Sequence, residues 1–159
     1  MGQNIMILDD IAVRRIQKQH IDELFLMAKA CLLEKGIENI KEDLLMLGLK
    51  NACAKKLETI DFGLFKMNKL IGFAFLDLNK KFFEDKATGL LNTIYIVPEH
   101  RTEKNYMKQI DYILDFCKAL GIKQIKTTDN WTLCNDCEVL IGLLESLKHK
   151  KVSTYRLER

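Results

Sequence analysis

Residues 95–109 read YIVPEHRTEKNYMKQ, and the fold turns on them. A β-branched and aromatic run stops at Pro98, the only proline in the chain. Two charged positions follow, and an apolar stripe of helical spacing then begins: Met107, Ile110, Ile113, Leu114, Cys117 and Leu120. Proline cannot continue a strand ladder, and it forces the residue before it towards extended backbone. The stretch therefore predicts a strand that ends at Val97 and a helix of about 16 residues, closed by Gly121. Lys123 to Thr127 (KQIKT) reads as a further short strand. A strand, a helix and a strand in succession make a crossover unit, so its two strands should be parallel.

Upstream of that unit the period is different. Phe62 to Lys66, Leu70 to Leu78 (LIGFAFLDL) and Leu90 to Val97 are apolar runs joined by turn-like or polar segments, which predicts an antiparallel meander. Before it, Ile21, Leu24, Phe25, Ala28 and Leu32 recur at helical spacing and stop at Gly36. A second helical pattern covers Lys41 to Leu57, and either Ile5–Leu8 or Val13–Ile16 supplies a first strand. Leu140 to Leu147 predicts a last helix, and Val152 to Leu157 a last strand. The expected fold class is α/β (α+β). Its central sheet is mixed, antiparallel first and then parallel. The middle strands are apolar on both sides, so helices should cover both faces.

Composition limits the function classes. The chain has 159 residues, 48% of them apolar, enough for one domain over residues 1–159 with a real core. The net charge is +3 on 25 basic and 22 acidic side chains, without the basic face of a nucleic-acid binder. Lys148-His149-Lys150-Lys151 is the one dense basic cluster and reads as a solvated helix end. No apolar run reaches the roughly 18 residues of a membrane span. The start, MGQNIMILDD, has no basic segment followed by an apolar one, so no secretory signal is expected. Cys31, Cys53 and Cys117 fall in apolar helical patterns, as small hydrophobes of a reducing cytoplasm would. Cys134 and Cys137 form a C-x-x-C pair without the two further ligands of a structural zinc site, so no metal is expected.

A strand that enters a helix through a short loop presents the helix's first N–H groups, and these with the dipole suit an anion. With Val97, Pro98, Glu99 and Arg101, the order of elements and the helix ending in ALGI, the chain resembles the GCN5-related N-acetyltransferases over about residues 60 to 130. In that family a V-x-P-E-x-R strand end leads into R-x-x-G-x-G or R-x-x-G-x-A, which wraps the diphosphate of acetyl-CoA. The resemblance implies acetyl-CoA as co-substrate, held by Arg101, Thr102, Glu103, Lys104, Asn105 and Tyr106. It also implies that the backbone of Ile94, Tyr95, Ile96 and Val97 pairs with the pantetheine arm where two strands part. The acceptor would be an amine, on a small molecule or a protein. By analogy with the fold, the last strand could pair across a homodimer.

The departures from the family pattern are specific. The two loop glycines are replaced by Lys104 and Tyr106, which add Cβ atoms where backbone should approach phosphate. Thr102 can cap the helix in competition with a ligand. The family's last helix carries an asparagine near its start and, near its end, a tyrosine that protonates the leaving thiolate. Here Cys137 and Leu144 fall at those places, and Tyr155 is the only C-terminal phenol left for that role. Candidate bases are Glu99 and His100 on the loop and Asp77, which interrupts an apolar strand. The leading expectation is an atypical N-acyltransferase. The alternative is a catalytically inactive protein of the same fold, acting as a structural, assembly (for example phage-particle) or regulatory binding component.

Overall fold

The computed structural model describes residues 10–54, 58–79, 87–127 and 154–157. Its centre is a six-stranded sheet in chain order, β1 (Ile11–Arg14), β2 (Thr59–Lys66), β3 (Lys69–Asn79), β4 (Ala87–Ile96), β5 (Ile122–Thr127) and β6 (Thr154–Leu157). The first four strands pair antiparallel, and β4–β5 and β5–β6 pair parallel. This is the mixed sheet expected from the sequence, including the parallel pair around the crossover. The first strand overlaps the second segment proposed for it at Val13 and Arg14 and starts two residues earlier, while Ile5–Leu8 lies outside the described residues. Ile11 and Val13 are the half-buried alternate residues of this edge strand, and the flanking residues are exposed.

Three helices of eleven or more residues are described, α1 (Ile21–Glu34), α2 (Glu42–Ala52) and α3 (Glu103–Ala119). α1 buries Ile21, Leu24, Met27, Ala28 and Cys31 against one face of the sheet. Asp22 and Glu23 sit in its first turn, where the helix dipole favours negative charge. Glu23 also accepts the Leu70 N–H at 3.1 Å, which fastens the helix start to β3. The chain leaves through Gly36 at φ +81°, a left-handed position that glycine takes without penalty. α2 is shorter than its apolar pattern predicted, ending at Ala52 with Cys53 as its C-cap. It buries only Leu49 and leaves Leu44 and Leu47 exposed.

α3 covers the opposite face with Tyr106, Ile110, Ile113 and Cys117, at spacings of three and four. Each such burial is worth about 2 kcal/mol as an upper estimate. Burial pushes the Cys117 thiol up to about 12, so it serves as a small hydrophobe. Helices thus lie on both faces, as the doubly apolar middle strands required. The predicted last helix, Leu140 to Leu147, falls outside the described residues, as do Cys134, Cys137 and the Lys148–Lys151 cluster.

Two bulges set the register of the antiparallel strands. One lies between β2 and β3, where Leu64 pairs with Gly72 and Phe65 with Leu70. The other puts an extra residue, Asn92, into β4, because Phe75 pairs with Thr93 but Leu76 with Leu91. An inserted residue bends its strand and reverses the side-chain alternation beyond it. Leu91 and Ile94 therefore face α3 together, whereas Tyr95 turns to α1 and α2.

Candidate functional site

The bulge at Asn92 divides β4 in two. Before it, Thr88 to Leu91 are held between β3 and β5. Beyond it, no described residue of β5 pairs with β4. The Val97 N–H donates to the Ile71 carbonyl at 2.9 Å, so Val97, Tyr95 and Thr93 direct their backbone groups towards β3. Ile94 and Ile96 direct theirs into the gap. The resemblance named four residues for backbone pairing; the register turns two of them, Ile94 and Ile96, to the open side.

The loop after β4 closes one end of this gap. Arg101 donates through Nε to the Ile96 carbonyl at 2.6 Å, and through Nη2 to Glu34 at 2.6 Å. Its guanidinium lies 5.0 Å from the Tyr95 ring centre, and only 4% of the side chain is exposed. Burial would lower the Arg101 pKa, but the hydrogen bond and charge of Glu34 more than offset this and hold it above its ordinary value. Tyr95 donates its hydroxyl to the other Glu34 oxygen at 3.2 Å. Burial, and then the Glu34 charge, push this phenol up to about 12. α1 thus ends in a carboxylate that clamps the loop.

The start of α3 is likewise occupied by the chain's own groups. Thr102 is its N-cap, and its hydroxyl accepts the Asn105 N–H at 3.2 Å. The Tyr106 N–H donates to the Thr102 carbonyl, and the Thr102 and Arg101 N–H groups to His100 and Pro98. The buried Asn105 side chain donates to the His100 carbonyl at 2.8 Å. The bulk of Tyr106 goes into the core beneath α3, 3% exposed, and not over the loop. Glu103 and Lys104 are exposed at the first two helical positions.

Glu99 and His100 lie in the single 3₁₀ turn Pro98–His100, Glu99 exposed and His100 half-buried. Tyr155 lies on β6 beside β5, with its backbone opposite Ile125. Asp77 is elsewhere. It stands on β3 opposite the bulge and accepts the Thr59 hydroxyl at 3.0 Å and the Asn92 amide at 3.2 Å. These groups line a pocket of about 520 Å³ between α2 and the sheet, with Phe75, Leu44, Leu45 and Leu49. Neither Glu99 nor His100 is among its lining residues. The sequence signal for Asp77 was its break in an apolar strand. Asn92 and Glu34 carried no signal of their own, since each acquires its place only through strand register or helix docking.

Among the described residues no group of three or more His, Cys, Asp or Glu could hold a metal, and no helix is long and apolar enough to cross a membrane. No protein-family model matches the chain, and no curated protein matches it by sequence. Solved structures do match in fold. A possible acetyltransferase from Clostridium difficile 630 superposes with a TM-score of 0.73 at 13% identity, over 94% of this chain and 93% of that one. A predicted acetyltransferase with acetyl-CoA, from Clostridium acetobutylicum, gives 0.62 at 19% identity over 74% and 80%. The aminoglycoside acetyltransferase AAC(6')-Iy, in complex with a bisubstrate analogue of CoA, gives 0.67 at 12% identity over 94% and 93%. With its bulged fourth strand, its parallel crossover and these neighbours, the chain has the fold of the GCN5-related N-acetyltransferases.

Proposed function

We propose that this protein transfers an acyl group from acetyl-CoA, or a related acyl-CoA, to an amine. The observation that carries the reading is the edge of β4 beyond Asn92, where Ile94 and the Ile96 N–H face a gap that no described strand fills. An extended chain with its own amides, such as pantetheine, can add to such an edge as an extra strand. The backbone N–H groups there would polarise the thioester carbonyl and stabilise the oxyanion formed on attack. The amine nitrogen attacks the carbonyl carbon, the C–N bond forms, and the C–S bond breaks with its electron pair leaving on sulfur. Asp77, hydrogen-bonded to the bulge residue, is the carboxylate suited to take the proton that the amine must lose. On the loop, the diphosphate would rely on the exposed Glu103 backbone and the charge of Lys104. Thr102 already occupies the Asn105 amide, and Glu34 holds Arg101.

Those two contacts favour a second reading, a non-catalytic binding or assembly protein on the same scaffold. Titration with CoA and acetyl-CoA separates the two. The acyltransferase reading expects a binding heat, a rise in Tm and thiol release with an amine. No heat and no thermal shift at millimolar CoA overturn it, and a protein partner that stays bound through purification would then support the other.

A further inference from the structure

The pocket over Asp77 has a chemistry that narrows the acceptor. The carboxylate is half-buried, and its two oxygens take only neutral donors, the Thr59 hydroxyl and the Asn92 amide. Among the described residues no lysine or arginine forms an ion pair with it. A partly desolvated negative charge held by neutral dipoles attracts a cation. The apolar side chains of the wall are Leu44, Leu45, Leu49 and Ala52 from α2 and Phe75 from β3, with Asn51 as a further polar one. Leu44 is 61% exposed, so packing within the chain does not account for an apolar side chain on this rim. Phe75 offers an aromatic ring close to the same carboxylate, a surface that a cation also favours. Among the described residues the only other acidic one in the lining is Glu58, which is exposed.

We infer that this pocket binds a primary monoamine carried on an apolar body, with its ammonium on Asp77 and its hydrocarbon or aromatic part along the leucines of α2. A polyamine or an amino sugar would bring several charges or hydroxyls against a wall with five apolar side chains and one half-buried carboxylate, whose second carboxylate, Glu58, is out in solvent. The volume of about 520 Å³ lies within the range of small-molecule sites. Because Asn92 both lines the pocket and opens β4, the bound nitrogen would lie beside the point where the strands part. As an acceptor site this rests on the acyl-transfer reading; as a binding site it does not.

The test is calorimetric titration of the full-length protein with hexylamine, 2-phenylethylamine, hexanol and spermidine, repeated as acceptor assays with acetyl-CoA. The two apolar amines are expected to bind at least tenfold tighter than hexanol or spermidine. Asp77→Asn should remove at least tenfold of that affinity. Leu44→Ser, at an exposed position that leaves the fold intact, should weaken the apolar amines several-fold. Spermidine binding as tightly as hexylamine, or apolar amines binding equally well after both substitutions, would overturn the inference. Binding that depends on Asp77, with no thioester consumed, would leave the amine site standing and remove acyl transfer. Thioester consumed with spermidine but not with hexylamine would do the reverse.

Discussion

The two ends of the gap beside β4 are built differently. At the loop end the polar groups are bonded to one another: Arg101 to Glu34 and the Ile96 carbonyl, Tyr95 to Glu34, Thr102 to the Asn105 amide. At the pocket end they are displayed. Asp77 is held in place by Thr59 and Asn92 with its charge uncompensated by any ion pair among the described residues. Buried polar groups bonded among themselves stabilise a fold, whereas a held but unbalanced charge is the mark of a binding surface. The difference suggests that in this chain the strand edge and the proposed amine pocket would carry recognition, while the loop fixes β4 on α1.

The sharpest way to break this contrast is to remove a charge at each end. Glu34→Gln removes the carboxylate charge paired with the Arg101 guanidinium, 4% exposed, and should lower stability by about 3 kcal/mol in urea denaturation. Asp77→Asn keeps its shape, faces an open pocket and should cost less than about 1 kcal/mol. Equal losses at the two sites would erase the distinction.

The Tyr95 phenol gives a second test, through pH. Buried and facing Glu34, it resists ionisation up to about 12, against 10.0 for the exposed group. Between those values the unfolded chain has lost the proton while the folded one keeps it. Stability is therefore full below pH 10 and falls as pH rises towards 12, by about 2 kcal/mol in all. Cys117 contributes a similar alkaline loss from the other face of the sheet, beginning near pH 9.0. Tyr95→Phe should flatten the decline above pH 10 and leave the Cys117 component, seen as a smaller drop in Tm from pH 10 to 12. An unchanged decline would mean that the Tyr95 phenol does not keep its proton through burial and the Glu34 charge in solution.

How much of this was legible in the sequence follows from the range of each interaction. The α3 stripe of Ile110, Ile113 and Cys117 and the helix stops at Gly36 and Gly121 are local patterns, and the two glycines do take φ of +81° and +75°. The parallel pairing of β4 and β5 followed from the crossover between them. Tyr106 could have been placed in the core from its spacing of four to Ile110, but as a departure from a glycine position it reads as an obstruction instead. The bulge at Asn92 was not legible, because it is a mismatch between two strands and has no signature in either. Nor was the Glu34–Arg101 pair, whose partners are 67 residues apart and meet only when α1 docks. The predicted start of α2 at Lys41 is one residue early. Its end was overdrawn, because the helix stops at Ala52 although Ala52 and Cys53 still pack against the core.

Thr102 offers a smaller but more direct probe of the loop. Thr102→Ala removes the cap from the Asn105 amide, so stability should fall by about 1 kcal/mol. If that amide faces a bound diphosphate, CoA should bind more tightly to the variant, since a donor withheld by the chain becomes available. Weaker CoA binding would show that the threonine hydroxyl itself contacts the ligand, and the loop would then belong with the displayed end of the gap.

One residue departs from the loop-end pattern, and it gives the finest test. Gln109 lies one turn beyond Asn105 on the same buried side of α3, fully inaccessible, and both its side-chain oxygen and nitrogen lack hydrogen-bond partners. Its Nε2 lies 3.3 Å from where a Cβ on Gly72 would stand, and the Tyr95 carbonyl is only 2.7 Å from that point. Gly72 thus leaves the room in which the amide sits against β3 and β4. An unsatisfied buried amide costs about 1–3 kcal/mol, and replacing it with an apolar side chain of similar length recovers part of that cost. Gln109→Met, which preserves length and flexibility, should therefore raise stability by about 0.5 kcal/mol once imperfect packing is allowed for. Gly72→Ala should do the opposite, because the added methyl meets backbone and cannot be accommodated by a rotamer change. If Gln109→Met instead destabilises the protein while amine and CoA binding stay unchanged, the amide has a structural partner. The loop end would then be bonded throughout, and the contrast with Asp77 would be stronger.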